Sequence, residues 1–201
     1  PIGFFQNVSV KSNNFAPEHG ITRNGVINVT TRSGSNKVGG EAYLTWRPGE
    51  LTDAASPFAE RDLSGNPVKG GFQRYQAGFG VGGPIKKDQT FYYINAQQTV
   101  DVKDNILSVP ELGLNETVQG TNRFTLVSGK VDHHWNDSSR SSVRFNAGRV
   151  NIERQGGGLE GGNACPSAAN EQIRNSFLLA NKNQYQIGRV GMETNVQYAR
   201  F

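Results

Sequence analysis

Three places in the sequence carry residue types that do chemistry in other settings. Gly78-Phe79-Gly80-Val81-Gly82-Gly83 satisfies G-x-G-x-x-G and ends a strand-like run. A dinucleotide site needs a helix next, because the helix N-terminus holds the pyrophosphate. Here Pro84-Ile85-Lys86-Lys87-Asp88 follows, and then an aromatic strand. The glycines are instead read as strand positions that another element approaches closely. His133-His134 is the only histidine pair. Neighbours on a strand point to opposite faces, so the two cannot share a metal without a bulge. The single Cys165 excludes an internal disulfide and any multi-Cys zinc site. It lies in the turn-rich run Gly161–Pro166 and is either an incidental loop thiol or half of a disulfide to a partner outside the chain. Neither G-x-S-x-G nor H-E-x-x-H occurs, and the acidic residues are dispersed mostly over expected loops. Nothing assembles a nucleophile, a base and an oxyanion site. The expectation is a non-enzyme with no cofactor and no metal.

The formal charge of +4 rests on 21 Lys and Arg against 17 Asp and Glu. The cations are scattered, with only Lys86-Lys87 adjacent, and no basic face repeats at helical spacing. Nucleic acid is therefore not expected as a partner.

What must position these residues is read from composition and period. Of 201 residues, 35 % are hydrophobic, 19 % are charged and 25 are Gly, while 11 Phe, 6 Tyr and 2 Trp are retained. Few charges, few aliphatics and many small polar residues describe a β-rich chain whose polar half is not all outside. Period-two alternation runs throughout. Ala42, Leu44 and Trp46 oppose Glu41, Tyr43, Thr45 and Arg47, and Tyr75, Ala77, Phe79 and Val81 oppose Gln76, Gly78 and Gly80. The pattern recurs at 91–97, 127–135 and 143–148, with a sixth, weaker run at 183–198. The runs are expected to reach about 9–13 residues, nearer the ~9–11 that cross a bilayer than the ~5–6 of soluble sheets. Trp46, Tyr75, Tyr92 and Trp135 sit at the ends of the apolar faces, where interfacial girdles would be.

Connection lengths add an asymmetry. Long stretches at 48–71, 100–122 and 155–182 alternate with tight turns at 84–89 and 136–139. That is the signature of an outer-membrane barrel, with brief periplasmic turns and extended outer loops. Residues 1–36 read differently, as short strands at 7–11 and 25–31 joined by a Pro- and Gly-marked loop, with a boundary near Ser33-Gly34-Ser35-Asn36. The only helical pattern longer than a turn or two is 168–177.

At this point the residues carry a resemblance. Asn14-Phe15-Ala16-Pro17-Glu18-His19-Gly20, then 25–36 ending in Thr31-Arg32-Ser33-Gly34-Ser35-Asn36, then Gly39-Gly40-Glu41-Ala42-Tyr43, resembles the plug-to-barrel junction of TonB-dependent outer-membrane receptors. Residues 79–93 resemble the hairpin between the second and third barrel strands of that family, and 124–146 the next one. The nearest branch is the Oar-like one. The resemblance implies an all-β chain: the C-terminal part of a plug domain at 1–36, then about six antiparallel strands of an incomplete transmembrane barrel at 37–201. Six strands cannot close even an ~8-stranded barrel. It therefore implies a fragment of a longer protein, whose signal peptide, TonB box and remaining strands lie elsewhere.

The function implied is transport of an unidentified solute across the outer membrane of a Gram-negative bacterium, energised by the TonB complex through the missing N-terminal segment. Outer-membrane lipid is the other expected partner. Arg47, Lys130 and Arg144 are the lumen-facing candidates to meet plug or solute, and Arg32, Ser33, Gly34 and Asn36 form the plug–barrel junction. The alternative is a surface protein acting in adhesion or assembly through its extracellular loops. A soluble β-sandwich binding module is a third possibility, and it requires the apolar faces to form a core.

Overall fold

The structure is a computed structural model that describes residues 2–11, 26–49, 72–154 and 170–201. Two antiparallel sheets account for it. A two-stranded sheet pairs β1 (Phe5–Lys11) with β2 (Val26–Thr31), after a single 3-10 turn at Ile2–Phe4. A second sheet holds seven strands in sequence order: β3 (Gly39–Arg47), β4 (Phe72–Lys86), β5 (Thr90–Val109), β6 (Leu114–Asn136), β7 (Ser139–Arg154), β8 (Asn170–Ile187) and β9 (Val190–Arg200). Each strand pairs only with its neighbours in the chain, so the sheet is an up-and-down meander that does not close.

Register carries the alternation coherently across all seven strands. Glu41 pairs with Gly80, Gly80 with Asn95, Asn95 with Ser128, Ser128 with Asn146 and Asn146 with Leu178. Paired residues share a face, so one face collects Glu41, Tyr43, Gln76, Tyr93, Gln97, Lys130, Asp132, Arg144 and Lys182. The other face carries Leu44, Trp46, Tyr75, Phe79, Ile94, Val131, Phe145, Leu179, Val196 and Tyr198, each at least 36 % exposed. The sheet thus turns its apolar side outward. Among the described residues the core that a soluble sandwich requires does not form: Leu44 at 76 % and Val196 at 69 % exposure have no second layer over them.

The small sheet and the linker that follows it lie on the polar face. Most of what is buried is there: Phe4, Tyr93, Asn95, Thr99, Asp101, Asn122, Ser128 and Ile152.

Four expectations from the sequence change. The weak run at 183–198 is two strands joined by the turn Gly188-Arg189, so the sheet has seven strands and not six. Of the helical pattern at 168–177, the described part from Asn170 onward is the start of β8; its Asn, Gln and Arg serve a strand whose pairing with β7 runs from Asn170, and tertiary pairing outweighs local propensity. The long connection at 100–122 is mostly strand: β5 and β6 stay paired from Lys103–Gly120 to Val109–Leu114, closed by Pro110–Leu112 and Gly113 at positive φ. The strands β4 to β8 have 15 to 23 residues, longer than the alternation indicated. Cys165 and residues 14–20 lie outside the described residues.

Loop asymmetry persists in altered form. The turns at 87–89, 137–138 and 188–189 share one end of the sheet, where His134 N donates to Gln89 O (2.8 Å) and Gln186 N to Ser138 O (2.8 Å). The strand ends at Arg47, Phe72, Arg154 and Asn170, together with the tip of the β5–β6 ribbon, lie at the opposite end.

Candidate functional site

The residues that could act together lie where the linker 32–38 crosses the polar face. Gly34 presses onto the β4–β5 backbone: a Cβ there would stand 2.3 Å from Tyr92 O and 2.7 Å from Gly83 O. Only glycine fits so close an approach. The strand beneath is stripped of side chains to match. A Cβ at Gly80 would lie 2.4 Å from the Tyr93 hydroxyl, one at Gly82 2.7 Å from the Tyr93 ring, and one at Gly78 2.6 Å from Tyr43. The G-x-G-x-x-G pattern is thus a bed for two tyrosines and the linker, as its strand setting indicated.

Around this contact the linker is tied down residue by residue. The Arg32 guanidinium donates to Glu41 Oε1 at 2.6 Å and to the Tyr93 side chain, and the Tyr93 bond is the main cause raising its pKa above the ordinary arginine value. The Tyr93 hydroxyl in turn donates to Gly3 O at 3.0 Å, and its ring lies 6.1 Å from that of Phe4. Ser33 Oγ accepts from Lys130 Nζ at 2.7 Å. Asn36 grips the β4–β5 turn, its Nδ2 donating to Asp88 Oδ1 and its Oδ1 accepting from Asp88 N at 2.8 Å. Asp88 sits at φ 62°, a left-handed conformation that Asp tolerates better than most residues. All four junction candidates therefore contact the seven-stranded sheet.

The three cationic candidates are not brought together. Arg47 is at the far end of β3, its guanidinium 5.0 Å from the Phe72 ring. Lys130 and Arg144 face each other directly across β6 and β7. They border a cleft of about 820 Å³ between the sheet and the segment 29–34, together with Arg140, Lys182 and Gln197. His134 lies on the cleft side, 5.7 Å from the Phe91 ring, while His133 points outward to Trp135 and accepts from or donates to Thr90 Oγ1 at 2.8 Å. The two imidazoles thus lie on opposite faces of β6, and no cluster of three or more metal-binding side chains occurs among the described residues.

Sequence reading did not single out Tyr93, Glu41, Asn95 or Asp88. Alternation placed the first three on the polar face, but which of them meets Arg32 depends on register between strands some 40 to 50 residues apart. The one available signal was the glycine run, which marks where something large must lie.

Comparison with known proteins agrees with this architecture. A family model described as an outer membrane beta barrel domain matches residues 30–117. The TonB-dependent transporter Oar of Myxococcus xanthus is 27% identical over 193 residues, covering 80% of this chain and 18% of that protein. The chain thus spans less than a fifth of the length of this relative. No solved structure matches it. The chain is thus similar to an Oar-type outer-membrane transporter and to an outer-membrane β-barrel domain, matches that indicate the outer membrane of a Gram-negative bacterium, and its described strands form an unclosed antiparallel sheet.

Proposed function

We propose that this chain is part of a TonB-dependent transporter, in which 1–36 is the end of the plug and 37–201 the first part of the barrel wall. The observation that carries the reading is the sidedness of the sheet: apolar residues face outward, and the N-terminal segment is seated on the polar face. In a closed barrel that polar face is the lumen. Arg32, Ser33, Gly34 and Asn36 then form the hinge where plug becomes wall, and Arg47, Lys130 and Arg144 line the solute's path. A wide polar lumen leaks unless plugged, and the outer membrane has no ATP. Energy must therefore arrive through a periplasmic partner, which is the role assigned to TonB.

The test is fractionation of the full-length protein, followed by cross-linking to TonB with and without the segment preceding residue 1. Recovery in the outer membrane with cross-linking that needs that segment is expected; recovery from the soluble cytoplasm would end the idea. A second reading, adhesion or assembly at the cell surface, draws on the β5–β6 ribbon that projects beyond both neighbouring strands. Removing 105–118 would abolish surface attachment on that reading and leave transport intact on the first.

A further inference from the structure

Cations crowd together at one place on the polar face. At two others a cation is matched by a carboxylate: Arg32 has Glu41, and Arg74 grips Asp101 through Nε–Oδ1 and Nη2–Oδ2 bonds of 2.7 Å each. In the cleft, Lys130 on β6 stands directly opposite Arg144 on β7, and Lys182 on β8 is the diagonal neighbour of Arg144 and of Arg140. Like charges facing across a strand pair destabilise a sheet. Only Asp132 among the lining residues is acidic; it pairs with Lys130 at 3.3 Å, and Glu193 pairs with Lys182 at 2.9 Å from outside the cleft. Arg140 donates to a neutral group, Gln184 Oε1. Arg144 has no hydrogen-bond or salt-bridge partner among the described residues, and its Nε is sealed from solvent. Two positive charges are left uncompensated.

Space accompanies the charge. Ala180 faces Arg144 and Ser142 faces Lys182. With Ser33 and Gly34 opposite, the small side chains leave the guanidinium room to take a planar, bidentate partner. The cleft lies at the end of the sheet that carries the tight turns, with Arg140 next to the strand start at Ser139.

We infer that this cleft is an anion seat, taking a phosphate- or carboxylate-bearing solute with Arg144 as its anchor and Arg140, Lys130 and Lys182 as its flanks. The inference rests on the reading of the polar face as a transporter lumen and adds the solute's chemical class. On that topology the seat belongs to the exit side, where a solute released from above would be held before it leaves. A bound anion offsets the repulsion between Lys130 and Arg144.

Isothermal titration of the full-length protein in detergent, at low salt, with pyrophosphate, citrate and neutral trehalose tests this. Pyrophosphate and citrate should bind and trehalose should not. Arg144→Gln should weaken both anions at least tenfold, Arg144→Lys less, and Arg123→Gln on the apolar face not at all. If Arg144→Gln misfolds, Arg140→Gln and Lys182→Gln should each weaken binding severalfold in a folded protein. Unchanged affinity in these variants overturns the proposal. So does a wild-type protein that binds neither anion while Arg144→Gln lowers its melting temperature, because the charge is then met by a carboxylate of the protein's own plug. Either result, in a protein that fractionates with the outer membrane, leaves the transporter reading standing; recovery of the protein in the soluble fraction defeats that reading separately.

Discussion

Tyr93 is the residue through which linker, N-terminal turn and barrel wall meet. One hydroxyl accepts from Arg32 and donates to Gly3 O, and both partners are far away in sequence. Tyr93→Phe keeps the ring against Phe4 and removes both bonds, at a cost of about 1–3 kcal/mol. Hydrogen exchange at residues 3–5 and 31–33 should rise accordingly, and unchanged exchange would show the hydroxyl to be idle. Gly34→Ala is the sharper variant, because its Cβ meets backbone that cannot swing aside. Overpacking of this kind costs about 1–3 kcal/mol. Protease cleavage within 32–38 should accelerate by roughly five- to a hundredfold, the ratio that this energy implies. The Arg32–Glu41 pair contributes less, since both side chains are more than a third exposed (39% and 44%) and such pairs are worth about 0.2–1 kcal/mol. Its raised pKa means the guanidinium's contribution is complete below the ordinary arginine value and is lost only as pH climbs past the raised one. The latch therefore keeps its positive charge throughout the range in which a protein is handled.

At the scale of elements, the strands were legible wherever alternation was undiluted, and the faces assigned to Leu44, Phe79, Tyr93, Lys130 and Arg144 agree with the register. Strand ends were not legible. Beyond Val100 the sequence reads Asp101-Val102-Lys103-Asp104-Asn105, which looks like a loop because both faces are polar, yet β5 continues to Val109. Its inward members there are held by specific partners: Asp101 is 4% exposed and receives both Arg74 bonds. A charge that is satisfied across strands cannot be told from a solvated one in a single sequence. Arg74→Leu would leave that carboxylate buried and unpaired. It should cost about 1.5–3 kcal/mol and lower the urea midpoint of the refolded full-length barrel. A midpoint unchanged by the substitution would mean that water replaces the guanidinium at no cost. The linker contacts were illegible for the same reason: Asn36 and Asp88 are two unremarkable polar residues until the pairing of β3 with β4 brings the linker to the β4–β5 turn.

For the whole molecule, sidedness across the membrane follows from the strand ends. Trp46 stacks on Tyr75 at 6.4 Å at the long-loop end of the apolar face, while Trp135, with its Nε1 donating to Ser141 Oγ at 2.9 Å, marks the tight-turn end. Tyr75 and Gly83, which pairs with Tyr92, are eight residues apart on β4, or about 26 Å of extended strand, comparable to the ~25 Å apolar band of outer-membrane barrels. If the segment before β3 is a plug entering from the periplasm, β3 runs outward and every second turn returns to the periplasm. Residues 87–89, 137–138 and 188–189 then face inward, and the ribbon tip at Pro110–Leu112 faces the medium. Leu112, 78% exposed, is the position to test. In the full-length protein, with Cys165 replaced by Ser, Leu112→Cys should react with a membrane-impermeant maleimide on intact cells. Asp137→Cys and Arg189→Cys should react only after the outer membrane is permeabilised. Labelling at 137 and 189 on intact cells, with 112 silent, would invert the sheet. The linker could not then reach the polar face from the periplasm, and the assignment of residues 1–36 to a plug would fall with it.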